Sequence, residues 1–242
     1  MPRAGITTLV LAFLTSLPLP AAASTVPSPA PVAAPLSIDQ VVDNLVRRDQ
    51  ERARALRSAE ATRIYRLSYR GFPVDRDAEM TVRALYTSPS TKSFEIISQS
   101  GSRLLLDHVL KRLLETEKEA AQPKIRDRYQ LNRANYEFSL AGYEPSSQGA
   151  QYILEVAPKS KSSYVYRGKI WVDANDFAVT RIDAEPAQNP SFWTKKSEIR
   201  HEYTRVEGFW LPARNESTSY VRLGGRITLT IEYKNYRINR AP

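Results

Sequence analysis

Few residues in this chain of 242 amino acids are of types that do chemistry, and their spacing assembles none of the usual reacting sets. There are two histidines, His108 and His201, and no cysteine. Without an HxH or HxxxH pair, zinc would have to be held by distant carboxylates, so no metal is expected. Asp107 and His108 are neighbours that point in different directions on a helix, so they do not form an acid–base pair by spacing. No GxSxG elbow, phosphate-cradling loop or GxGxxG run occurs. Asp173, Asp176, Asp183 and Glu185 could be arranged as a carboxylate pair for glycoside cleavage. They fall on turns and polar strand positions, however, where solvated carboxylates are the ordinary finding. The expectation is therefore no catalytic residue and no cofactor. A hydrophobic surface, rather than a reacting group, carries the function, and a hydrolase is the least favoured reading because nothing here activates a nucleophile.

That surface must come from the aromatic and aliphatic load. Three tryptophans (Trp171, Trp193, Trp210) and thirteen tyrosines fall largely on segments that alternate apolar with charged residues. Aromatics fill the core of any β protein. They also line apolar cavities, where each buried methylene of an acyl chain is worth about 0.8 kcal/mol without help from any polar group.

The first residues set the compartment. Arg3, the apolar run from Ile6 to Leu14 and Ala21-Ala22-Ala23 form the three parts of a secretory signal, so residues 1–23 are expected to be removed. The apolar run is shorter than the roughly 20 residues that span a bilayer. Residues 24–36 are rich in proline and alanine, which favours an extended tether. A periplasmic protein, soluble after cleavage, is expected, and the absence of cysteine excludes both a disulfide framework and a lipid-modified N-terminal cysteine. Lysine and arginine number 35 against 26 acidic residues, a formal charge of +9. For an exported chain this points away from nucleic acid and toward transient contact with anionic membrane surfaces, or simply to a solvated face.

One domain is expected over 37–242. Ser37 and Gln40 match a capping box, and Ile38, Val41, Val42, Leu45 and Val46 recur at helical spacing, predicting a helix to about Arg57. The period then changes to two. Tyr65, Leu67 and Tyr69, then Met80, Val82, Ala84 and Tyr86, then Phe94 and Ile96 each share a strand face. Leu104 to Leu114 form a wide apolar stripe on a second helix. Strands resume from Tyr136 and end at Arg237, with turns at Asp173–Asp176, Glu207-Gly208 and Gly224-Gly225. Roughly ten strands and two helices without βαβ alternation give an α+β domain: one antiparallel sheet with its helices on one face.

The segments GKIWVDANDFAVTRID, RVEGFWLPARNES and LTIEYKNY, following a signal segment, a helix, strands and a leucine-rich helix, resemble the LolA/LolB-like superfamily of periplasmic lipoprotein carriers. The resemblance runs over about Ser37 to Arg237. It implies an incomplete antiparallel barrel of about ten to eleven strands, with helices forming a lid over an apolar cavity on the concave face. It also implies a binding or carrier protein for lipids or lipoprotein acyl chains, with an envelope stress-sensing or protein-interaction module as the alternative. The expected partners are a lipid or lipidated protein and envelope proteins, and a monomer is expected. With the leucine-rich helix as the lid element, the residues expected to line the cavity are Leu67, Met80, Val82, Phe94, Ile96, Leu106, Val109, Leu110, Leu113, Phe138, Trp171, Leu229 and Ile231.

Overall fold

The computed structural model describes residues 35–147, 149–189, 194–222 and 224–241. The signal segment, most of the tether and Trp193 lie outside the described residues.

Helix α1 (Ile38–Ala55) begins where the capping box predicts: the Ser37 hydroxyl accepts from the Gln40 amide, and the Gln40 side chain accepts from the Ser37 amide. These reciprocal bonds satisfy two amides that a helix N-terminus otherwise leaves open. The helix buries Val41, Val42 and Leu45 and passes directly into strand β1 (Leu56–Arg70). β2 (Arg76–Thr87) and β3 (Thr91–Gly101) follow as a meander. A helical stretch then runs through α2 (Arg103–Leu105), a π-helical turn (Leu106–Leu110) and α3 (Lys111–Ala120), with a short α4 (Pro123–Arg126) after it. The wider π turn rotates the stripe so that Leu105, Leu106, Leu110 and Leu114 all lie buried along one side. A second meander completes the chain: β4 (Tyr136–Ser146), β5 (Gly149–Pro158), β6 (Tyr166–Asp173), β7 (Val179–Pro186), β8 (Thr194–Val206), β9 (Phe209–Val221) and β10 (Arg226–Arg240).

All ten strands form one antiparallel sheet in the order β3-β2-β1-β10-β9-β8-β7-β6-β5-β4. The two meanders are joined by the long β1–β10 ladder, and the sheet stays open between edge strands β3 and β4. The expected α+β class with an incomplete antiparallel barrel is what the chain forms. Gly168, in the YRGKIW run, holds one crossing together. A Cβ there would strike the backbone of Asp183 and Ala184 on β7, and its φ of +151° suits glycine.

The outer face carries a lattice of charge pairs, including Arg66 with Glu79 and Glu232 and Arg214 with Glu216. The inner face carries two separate cores. α1 packs on β4–β7 through Val41, Val42 and Leu45 against Tyr152, Leu154, Ile170 and Ile182. The leucine-rich stretch packs on β1, β2 and β10 through Leu106, Leu110 and Leu114 with Tyr65, Met80, Val82 and Ile231.

Candidate functional site

Directly opposed residues of an antiparallel pair share a face, so the inner face can be read strand by strand along one row. From β2 the row runs Met80, Tyr65, Ile231, Asn215, His201, Ile182, Ile170, Leu154. Six of the eight are apolar or aromatic and buried in one core or the other. The two polar members, Asn215 on β9 and His201 on β8, are adjacent and lie between the cores. The flanking rows behave alike: Ser217 stands opposite Ile199, and Ser219 opposite Ser197. The strip is the floor of a cavity.

The cavity has a volume of about 990 Å³, at the upper end of the range of roughly 300–1,000 Å³ usual for small-molecule sites. Its floor is Ser197, Ile199, His201, Tyr203, Ser217 and Ser219, and one wall is the C-terminal half of α1 from Leu45 to Arg54. Opposite stand Tyr86, Ser88 and Pro89 of the β2–β3 turn and the segment after α3, including Arg126, Tyr129 and Leu131. Val165, Tyr166, Val179 and Ile182 add a second apolar wall. Most of the lining is apolar or aromatic.

Several of the polar groups at the cavity are placed by hydrogen bonds. The Ser197 and Ser219 hydroxyls are 2.7 Å apart. Trp210 Nε1 donates to the Asp176 carboxylate at 2.9 Å, and Arg52 donates to the Asp176 and Phe177 carbonyls, which ties α1 to the β6–β7 turn. Burial lowers the His201 pKa to about 4, so the imidazole is neutral at physiological pH. It makes no hydrogen bond to any described residue. Burial, with Asp49 nearby, pushes the Tyr203 hydroxyl up to about 12, leaving it a neutral donor.

The other half is closed by a second polar device. Arg63 on β1 donates to Glu117 on α3 at 2.7 Å; the two side chains are only 13% and 21% exposed. Tyr65 also donates to Glu117, and the guanidinium lies 4.9 Å from the Tyr233 ring centre and 5.4 Å from that of Phe94. Burial, then the neighbouring Glu117 carboxylate, raises the Tyr65 hydroxyl well above its ordinary value. This cluster pins α3 onto the sheet, and the leucine stripe is tightly packed beneath it.

None of the thirteen residues expected to line a cavity lines this one. Leu67, Met80, Val82, Leu106, Leu110 and Ile231 are at most 7% exposed in the second core, with Phe94, Val109, Leu113 and Leu229 packed against it. Here the sheet offers aliphatic residues all along the stripe, so helix and sheet close on each other. Phe138 packs on the first core. Ile96 is 41% exposed on edge strand β3. Trp171 lies between the buried Ile170 and Val172 and therefore faces away from them, donating to Glu144 with Arg181 stacked over its ring. The cavity residues missed in the sequence left one signal there: asparagine and histidine, flanked by serine, on β8–β9 in the row where β1, β2, β10 and β5–β7 carry Tyr65, Met80, Ile231, Leu154, Ile170 and Ile182. Among the described residues, no group of three His, Asp or Glu side chains is placed to hold a metal.

No family model and no curated protein matches the chain. Among solved structures it is similar to a domain from Vibrio parahaemolyticus named for outer membrane lipoprotein sorting, at 12% identity and a TM-score of 0.47, over 83% of this chain and 93% of that one. A DUF1329 family protein from Desulfovibrio piger is 14% identical with a TM-score of 0.44, covering 84% and 93%. A LolA superfamily protein from Nitrosomonas europaea is 11% identical with a TM-score of 0.36, covering 86% and 96%.

Proposed function

We propose that this chain is an exported binding or carrier protein for a lipid or a lipid-modified protein, whose acyl part occupies the cavity between α1 and the β8–β9 strip. The observation that carries this reading is the cavity itself: a space of about 990 Å³, lined mostly by apolar and aromatic residues, between α1 and the inner face of β8–β9. Burial of methylenes supplies affinity there at about 0.8 kcal/mol each. The few polar groups on the floor orient a ligand without reacting with it. Export, release from the membrane after cleavage and a non-enzymatic role belong to the same reading.

The test is native mass spectrometry of protein purified from the cell envelope, followed by organic extraction, with Ser217→Trp as the blocking variant. Bound acyl species in the parent protein and their loss from a normally folded Ser217→Trp protein are expected. Empty protein that also fails to bind a neutral apolar dye would contradict the reading.

A second reading rests on a different observation. Residues 95–101 of edge strand β3 are all exposed, Ile96 at 41% and Ile97 at 51%. An open edge of this kind accepts an added strand, so an envelope protein that pairs there would make the chain an interaction module. A partner that survives delipidation and is lost on Ile97→Pro would favour it.

A further inference from the structure

The distribution of charge at the cavity narrows what it holds. Its lining contains three arginines (Arg52, Arg54 and Arg126), one aspartate (Asp49), and no lysine or glutamate. Arg52 is occupied, donating to two backbone carbonyls and facing Asp49 at 3.8 Å. Neither of the other two is within ion-pair distance of a carboxylate among the described residues, and Arg126 shares the field of the same Asp49. Arg54 is exposed in the last turn of α1 and makes no hydrogen bond or ion pair to any described residue. Arg126 gives one bond to the Pro89 carbonyl, and its Nε is buried without an acceptor. Several arginines outside the cavity are neutralised by a carboxylate, among them Arg47 with Glu51, Arg66 with Glu79, Arg70 with Asp77, Arg83 with Glu95 and Arg133 with Asp43. The lining therefore carries two more guanidiniums than carboxylates, and one of them, Arg126, keeps a buried Nε donor without an acceptor.

Resting on the carrier reading above, we infer that the cavity takes an acyl chain with an anionic head group, a carboxylate or phosphate, held at the mouth by Arg54 and Arg126, its tail running toward Ile199 and Ile182. A guanidinium matches both anions with paired donors. The other end of the cavity does not suit an anion. Its floor offers serine hydroxyls and a neutral imidazole but no cation, and a carboxylate carried there would lose its hydration without a counter-charge. The neutral state of His201, with a pKa near 4, agrees with that polarity. The floor instead suits a neutral donor–acceptor group along the tail, such as an ester or amide.

The experiment uses the mature chain and N-phenylnaphthylamine, a neutral dye that reports an apolar cavity whatever the head-group charge. Palmitate, its methyl ester and the amine of the same chain length are compared as competitors at low salt. Palmitate is expected to displace the dye at about tenfold lower concentration than the ester, with the amine weakest, as a half-exposed charge pair at each arginine would give. Arg54→Glu, which leaves every described contact intact, should shrink the palmitate advantage about fivefold, and 1 M salt should do likewise. Equal displacement by the three ligands, or preference for the amine, overturns the inference and leaves the carrier reading standing. A palmitate preference that persists in a folded Arg54→Glu, Arg126→Gln protein also overturns it. Failure of the dye itself to bind overturns the carrier reading beneath it.

Discussion

The two halves of the inner face are built from the same materials and end in opposite states. Over β1, β2 and β10, a leucine stripe meets Tyr65, Leu67, Met80, Val82 and Ile231, and the interface closes with Leu110, Met80 and Val82 fully buried. Arg63, Tyr65 and Glu117 then lock α3 in place. Over β7–β9, α1 contributes Leu45 at its middle, but its C-terminal turns bring Asp49, Gln50, Arg52 and Arg54 to a floor of Ser197, His201, Ser217 and Ser219. The apolar match is interrupted there, and a cavity of about 990 Å³ remains. A wide apolar stripe marks where a sheet is sealed. The space for a ligand is marked by the interruption of the stripe's complement on the sheet.

The sharpest way to break that contrast is truncation on each side. Leu110→Ala should cost about 3–4 kcal/mol in denaturant unfolding, because it leaves a void in a packed interior. Ile199→Ala, on the cavity floor and only partly buried, should cost less, about 1–2 kcal/mol, since one side of it faces open space. Equal costs would mean that the two halves are not packed differently.

Next in size is the Arg63–Glu117 lock. Arg63→Met should destabilise by about 2 kcal/mol, because Glu117, partly buried, keeps only the Tyr65 hydroxyl and Lys92 at 3.7 Å. Stability equal to the parent would show that the leucine stripe alone holds α3.

The open half has its own acid signature. His201 has an ordinary pKa of 6.5 in the unfolded chain and about 4 in the fold, so the unfolded state binds the extra proton between those values. Stability from this group is complete above about pH 6.5 and is lost as pH falls toward 4, by an amount on the order of 2 kcal/mol once solvent in the cavity is allowed for. His201→Gln should flatten that part of the pH–stability curve, and an unchanged slope would place the imidazole in water. The smallest effect is expected at Arg54: Arg54→Ala should leave the unfolding midpoint unchanged within about 0.5 kcal/mol, as for other exposed side chains without partners.

The fold was largely legible because its signals are local. Period-two alternation over 65–69 and 80–86 located strands that form, and Ser37 with Gln40 located a helix start to the residue. Glu207-Gly208 and Gly224-Gly225 sit at the two tight connections of the last three strands. The site was not legible in the same way. Which strands a helix covers is set by how the chain returns across the sheet, and no residue spacing encodes it. Leu106, Val109, Leu110 and Leu113 therefore read as the lining of a cavity, when the aliphatic row opposite them closes the gap. Trp171 misled for a simpler reason: its size suggested a wall, while its place between Ile170 and Val172 puts it on the other face. The row through Asn215 and His201 held the needed clue, but only once strand register paired those two residues.

The central claim is that the ligand space lies between α1 and the β8–β9 strip and not beneath the leucine-rich helical stretch. A crystal structure of the mature protein with a tail-brominated fatty acid tests it directly, because bromine locates the chain by anomalous scattering. The account predicts the bromine peak beside Ile199, His201 and Tyr203, with the carboxylate toward Arg54 and Arg126. A peak among Leu106, Leu110, Met80 and Val82 would contradict it.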